Sequence, residues 1–135
     1  MLVRDRMSSR PVTIRSDADY KNALTLMQEH ALHHVPVLDA RKKLVGIVAE
    51  RDLLLAATRH LQSAMEVAEV MHRNVTTATP EMPIAEAASL MVDNRIGGLP
   101  VVDGEDHVVG VITETDIFRA FVERERDRGP ADAGA

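Results

Sequence analysis

Asp52 and Asp116 are the residues of this chain best suited to holding a ligand, and the sequence prepares both in the same way. Residues 110–117 read Gly-Val-Ile-Thr-Glu-Thr-Asp-Ile, and residues 46–53 read Gly-Ile-Val-Ala-Glu-Arg-Asp-Leu. In each stretch an apolar, β-branched run stops at a short polar segment and an apolar helical pattern begins, with the acid at its start. Backbone N–H groups at a helix start lack intrahelical partners and carry the positive end of the dipole, which suits a phosphate. A carboxylate there accepts hydrogen bonds from sugar hydroxyls, and charge-assisted bonds of that kind are about twice as strong as neutral ones. Thr113 and Thr115 add hydroxyls beside Asp116, whereas Ala49 and Arg51 stand at the matching places before Asp52. There Arg51 offers charge to a phosphate in place of the missing hydroxyls. The Thr113–Asp116 spacing also fits a capping box, in which both side chains satisfy the helix's own N–H groups, so both readings stay open at this point.

A repeat must position these residues. Its offset is a constant 64 without a gap, pairing Met7 with Met71, Ala23 with Ala87, Met27 with Met91, Pro36-Val37 with Pro100-Val101, Asp39 with Asp103, Gly46 with Gly110 and Asp52 with Asp116. In the first copy, residues 11–14 form a strand candidate and Ser16 and Asp17 a turn or cap. A helix follows that buries Tyr20, Ala23, Leu24, Met27 and Ala31, one stripe at helical spacing. The second copy repeats the stripe as Ile84, Ala87, Ala88, Met91 and Arg95, with Pro83 in the first turn. Two hairpins come next, 35–38 with 44–48 and 99–102 with 108–112, the latter with Asp103-Gly104 as its turn signal. A second helix closes each copy, from about Asp52 and from about Asp116.

Each copy is therefore β-α-β-β-α, and a unit of about sixty residues buries too little of its surface to be secure alone. The expected fold is α/β (α+β): two pseudo-symmetric repeats, residues 1–62 and 63–124, packed face to face as one module, with residues 125–135 as a disordered tail. Residues 58–66 read as a linker or helix extension, and the alternating charges of residues 123–128 as a solvated helix end.

Composition removes several function classes. With no Cys there are no disulfides or thiolate metal sites. A net charge of −5 argues against general binding to nucleic acid, and three aromatics (Tyr20, Phe118, Phe121) leave little for base stacking. No apolar run approaches a membrane span and no signal pattern opens the chain, so no membrane partner and a cytoplasmic location are expected. His30, His33 and His34 cluster near a helix end, but no acid completes a metal set and the dipole explains them, so no metal and no cofactor are expected. The seven methionines read as gap-filling core. Catalysis is not expected either, because a Walker-type loop and a nucleophile elbow are missing from the sequence.

Both copies begin on a Met-ending segment (Asp5-Arg6-Met7, Glu69-Val70-Met71), carry a Pro-Val-hydrophobic-Asp strand, and end on a Gly-hydrophobic-x-Thr/Ser-x-Thr/Ser-Asp motif from which Ala49 and Arg51 depart. On these features the chain resembles a tandem CBS-domain pair, or Bateman module, over roughly residues 3–121. The resemblance implies a regulatory module that binds adenosine nucleotides or adenosyl ligands in two clefts between the repeats and signals to a partner protein by a conformational shift. It also implies a homodimer. In the first cleft it places Thr113, Thr115 and Asp116 with Ser9, Arg10, Pro11, Val12, Leu32, His33 and His34. In the second it places Ala49, Arg51 and Asp52 with Arg73, Asn74, Val75, Thr76, Ile96, Gly97 and Gly98. Two other readings remain open: a ligand-free dimerisation or interaction module, and a metal-dependent nucleotide hydrolase.

Overall fold

Burial in the structure follows the 64-residue offset. Val3 and Val67, Ala23 and Ala87, Met27 and Met91, Val35 and Leu99, Val37 and Val101, and Val48 and Ile112 are all buried. The structure is a computed structural model describing residues 1–59 and 64–129. Its elements are β1 (Ile14–Arg15), α1 (Tyr20–His30), β2 (His34–Leu38), β3 (Leu44–Ala49), α2 (Glu50–Arg59), α3 (Ile84–Asn94), β4 (Gly98–Val102), β5 (Val108–Thr113) and α4 (Glu114–Arg128), with 3-10 turns at Val3–Asp5 and Val67–Glu69. The chain divides into two compact units: residues 11–75 with 103–108, here the first unit, and residues 1–10 with 76–102 and the chain from 109 on, the second.

In the first unit, β1 runs parallel to β2 and β2 antiparallel to β3. The strand expected at residues 11–14 is confined to Ile14–Arg15, paired with Val37 and Leu38. Pro11 has no N–H to give a ladder, so pairing starts later. Asp19 caps α1, accepting from the Lys21 N–H at 2.8 Å. Tyr20, Ala23 and Met27 are buried as the stripe requires, together with Val35, Val37, Val48, Leu53 and Val67. Ala31 departs from the expectation: it is exposed and left-handed (φ 53), its N–H closing the helix on Met27 and Gln28 carbonyls. Arg95 does the same for α3 (φ 55). The chain must turn sharply there to enter a strand, and a left-handed residue after the last turn does this.

The hairpin turns are built by aspartate. Asp39 Oδ1 accepts the N–H groups of Arg41 (2.8 Å) and Lys43 (3.0 Å), and Asp103 Oδ1 those of Glu105 (2.9 Å) and His107 (3.0 Å). Bonds from the backbone at Lys43 and at His107 are the main cause holding these carboxyls below the usual range. The left-handed positions fall on Lys42 (φ 64) and Asp106 (φ 63), and Gly104 needs no positive φ. Both turns meet in the first unit, where Leu44 N–H donates to the Asp106 carbonyl at 3.0 Å.

The segment leading into each motif completes a core. In the first unit Val67 N–H donates to Ala18 O (2.9 Å) and Tyr20 N–H to Met65 O (2.8 Å). In the second unit the chain start takes that part: Val3 N–H donates to Met82 O (2.8 Å), Ile84 N–H to Met1 O (3.0 Å), and Val3 is buried with Ala78, Ala87, Met91, Leu99, Val101 and Ile112. The first strand of the second repeat is reduced to one parallel bridge, Ala78 with Val101, beside the β4–β5 sheet. Glycine is required where these segments cross the motif strand. A Cβ on Gly46 would lie 2.6 Å from Met71 Sδ and 2.8 Å from the His72 carbonyl, and one on Gly110 2.6 Å from the Ser8 carbonyl and 2.7 Å from Met7 Sδ.

The α4 helix extends through residues 125–128, so the disordered tail expected from residue 125 does not begin there; these residues are exposed, as expected for a solvated end, with Arg128 and Glu125 paired at 3.5 Å one turn apart. Residues 130–135 of the expected tail and residues 60–63 of the expected linker lie outside the described residues.

Candidate functional site

In the second unit, β5 delivers Thr113 to the N-cap of α4 with extended geometry (φ −120, ψ 165). The capping box forms. Asp116 Oδ2 accepts from the Thr113 N–H (2.9 Å) and the Thr113 hydroxyl (3.1 Å), and Asp116 N–H donates to Thr113 Oγ1 at 3.5 Å. The box engages a single carboxylate oxygen. Asp116 Oδ1 has no hydrogen bond among the described residues, and the residue is half-buried. Capping therefore fixes the carboxylate and leaves one oxygen to accept from a ligand.

The same unit brings residues of both expected sets to this helix start: Ser9 and Arg10, expected with Asp116, and residues 96–98, which the resemblance places with Asp52 instead. Glu114 N–H donates to the Gly97 carbonyl at 3.0 Å, and a Cβ on Gly98 would lie 3.4 Å from the Ile112 carbonyl and 3.5 Å from Thr113 Cγ2. Residues 96–98 thus lie against the Thr113 end of β5. Ser8 pairs with Val111 through bonds of 2.9 and 3.0 Å, which sets Ser9 and Arg10, both exposed, beyond that bridge. About two turns further along α4, Arg6 and Glu123 form an ion pair. The Glu123 bond raises the Arg6 guanidinium, and the Arg6 bond holds the Glu123 carboxyl below its usual range. Sequence reasoning did not single out this pair, because neither the residue types nor their spacing marks it.

In the first unit, Ala49 cannot form the box and Asp52 has a different partner. The His72 ring donates from Nε2 to Asp52 Oδ2 at 2.7 Å. His33, which the resemblance places with Asp116, is held instead at this helix start: Glu50 N–H donates to its carbonyl at 2.9 Å, and its Nδ1 lies 3.4 Å from Glu50 Oε1. An open depression of ≈ 480 Å³ is lined here by His33, His34, Arg51, Asp52, Leu54 and their neighbours on α2. Arg73, Asn74 and Val75 follow His72 in this unit, which also holds Pro11, Val12 and Leu32 of the set expected with Asp116, while Thr76 belongs to the second. Among the described residues no three His, Cys, Asp or Glu side chains converge to hold a metal ion, and no helix is long and apolar enough to cross a membrane.

Two repeats with matching cores, each ending in a strand that hands a motif aspartate to a helix start, define a tandem module. The CBS domain family matches the chain twice, over residues 3–59 and 67–123, and the chain belongs to that family. It is 37% identical over 120 residues to L-aspartate semialdehyde sulfurtransferase of Methanocaldococcus jannaschii, a match covering 89% of this chain and 23% of that enzyme. The chain thus spans about a quarter of that relative. Among solved structures it resembles the CBS domain pair of protein MJ0100 in complex with 5′-methylthioadenosine and S-adenosyl-L-methionine (TM-score 0.81, 35% identity, 92% of this chain and 98% of that one). It also resembles CBSX2 in complex with AMP (TM-score 0.81, 25% identity, 92% and 98% covered).

Proposed function

We propose that this chain is a regulatory sensor of adenosine nucleotides or adenosyl ligands and performs no catalysis. The observation that carries the reading is the start of α4, where a capping box holds Asp116 in place through Oδ2 while Oδ1 stays unpaired. A ribose presents two hydroxyls to such a carboxylate, and the Thr115 N–H, left over where Glu114 N–H and Asp116 N–H are engaged, donates to a phosphate or sugar oxygen. Similarity to pairs that hold methylthioadenosine, S-adenosylmethionine and AMP supports the same ligand class. Ser9, Arg10, Gly97 and Gly98 accompany Asp116 in this role. In the first unit the role passes to Asp52 and Arg51 with Arg73, Asn74, Val75, His33 and His34. Pro11, Val12, Leu32, Thr76 and Ile96 supply backbone and apolar surface for the purine.

Binding signals by population shift: the ligand favours whichever arrangement of the module binds it better, and a partner protein reads the change. A thermal-shift series with AMP, ATP, methylthioadenosine and S-adenosylmethionine tests the reading. At a hundred times its dissociation constant the true ligand adds about 2.7 kcal/mol, a rise of several degrees. A flat response to the whole series would favour the ligand-free interaction module.

Self-association belongs to the same proposal. Leu54 and Leu55 on α2 and Phe118, Phe121 and Val122 on α4 are between 44% and 64% exposed, and Leu54 and Phe118 occupy the same repeat position. Large apolar side chains exposed at matching places support burial against a second copy. Light scattering is expected to give the mass of two chains, and Phe118→Arg combined with Leu54→Arg the mass of one. A single-chain mass for the unaltered protein would contradict the dimer.

A further inference from the structure

The Arg6–Glu123 pair stands over the face of α4 that carries Asp116. Asp116 and Glu123 are close to two helical turns apart, which puts both positions on one face about 10 Å apart along the axis. The antiparallel bridge of Ser8 with Val111 turns the residues before Ser8 toward the Thr113 end of β5, and there Arg6 meets Glu123. Its side chain is only 23% exposed. Nη2 of the guanidinium engages Glu123 Oε2, and among the described residues its other N–H groups have no partner. The Glu123 bond is the largest cause raising this guanidinium above its ordinary value, and the charge of Asp116 adds to it, so Arg6 lies within the field of the site. Thr115 and Glu123 also border one open depression of ≈ 330 Å³, to which Arg119, without an ion pair among the described residues, adds positive charge. The first repeat has no such device: Val70 and Arg59 stand at the matching positions.

We infer that Arg6 is a specificity-determining residue of the Asp116 site, selecting adenosine ligands that carry a 5′-phosphate over those with an uncharged 5′ substituent. This rests on the proposed function. With the ribose on Asp116 Oδ1, a 5′-phosphate directed along α4 covers much of the distance to the guanidinium. The free N–H groups of Arg6 donate to it while Glu123 keeps the head in place. Glu123 is then a positioning residue, and Arg6 is the one that touches the ligand. A neutral 5′ substituent gives those donors no charged acceptor.

Calorimetric titration of AMP, adenosine, methylthioadenosine and S-adenosylmethionine tests this, in an Asp52→Asn background that weakens the other site. With Arg6 present, AMP is expected to bind more tightly than adenosine or methylthioadenosine. In Arg6→Gln the affinity for AMP falls about fivefold, the upper end for a partly exposed ion pair, and that for adenosine is unchanged. Arg6→Lys, which keeps the charge without the fork, recovers part of the loss. Equal losses for AMP and adenosine in Arg6→Gln would mean that Arg6 only supports the helix, and they overturn the selection. An unchanged AMP affinity in Arg6→Gln overturns it too, as does adenosine binding as tightly as AMP when Arg6 is present, or S-adenosylmethionine binding alone. Each of these leaves the sensor reading standing. Absence of binding by all four compounds removes both.

Discussion

Asp116→Asn is expected to weaken binding of an adenosine nucleotide by at least about tenfold while leaving the fold in place. At this third helical position an asparagine carbonyl can still accept from the Thr113 N–H, so that half of the capping box survives. What is lost is the charge and the second acceptor. The oxygen now unpaired, Oδ1, becomes either an amide that cannot accept or the one acceptor already used by the cap. A hydrogen bond to a charged group contributes about 1.5–3 kcal/mol, and each 1.4 kcal/mol is about a factor of ten in affinity. Calorimetry on both proteins, with circular dichroism to confirm the helix, measures it. Equal affinity would mean that Asp116 serves the helix alone.

The second large effect is a reversal of sign within one residue type. Gly110→Ala is expected to destabilise the protein by about 1–3 kcal/mol, the usual cost of overpacking. Its new methyl would meet the Ser8 carbonyl at 2.6 Å, a backbone atom pinned by the Ser8–Val111 bridge. Gly104→Ala should do the opposite, because no heavy atom lies within 4 Å of its Cβ position and its φ is not positive. Removing unfolded-state freedom at such a position stabilises by about 0.4–1 kcal/mol. Urea unfolding of both variants decides the matter, and a neutral Gly110→Ala would contradict the tight crossing of the chain start over β5.

That crossing shows where the sequence speaks clearly and where it falls silent. The repeat offset announces that Met7 and Gly110 recur together as Met71 and Gly46, and the structure places each Met against the glycine. The helical stripes through Met27 and Met91 and both hairpins are equally legible, because 3.6-residue and two-residue periodicities are local properties of the chain. The home of Val3 is not local. Hydrophobicity says that it is buried, but its partners Ala78 and Met91 lie far along the chain, and no periodicity names them. Turn chemistry misleads for a related reason. Asp103-Gly104 marks the hairpin correctly, yet the aspartate side chain holds the loop so that Asp106, not the glycine, takes the left-handed position.

At the candidate site, the capping-box spacing of Thr113 and Asp116 was readable as a cap and as a ligand grip. The structure adds that capping engages one oxygen and leaves the other, so the two roles are compatible. Nothing in the residue types linked His72 to Asp52, twenty residues apart. Only the Ile47–His72 bridge brings that ring to the helix start.

The most direct measurement is a crystal structure of the chain grown with AMP. The account predicts a ribose hydroxyl within about 3.2 Å of Asp116 Oδ1, with Oδ2 still accepting from Thr113. Nucleotide bound elsewhere, with Asp116 confined to its capping box and its other oxygen facing only water, would contradict it.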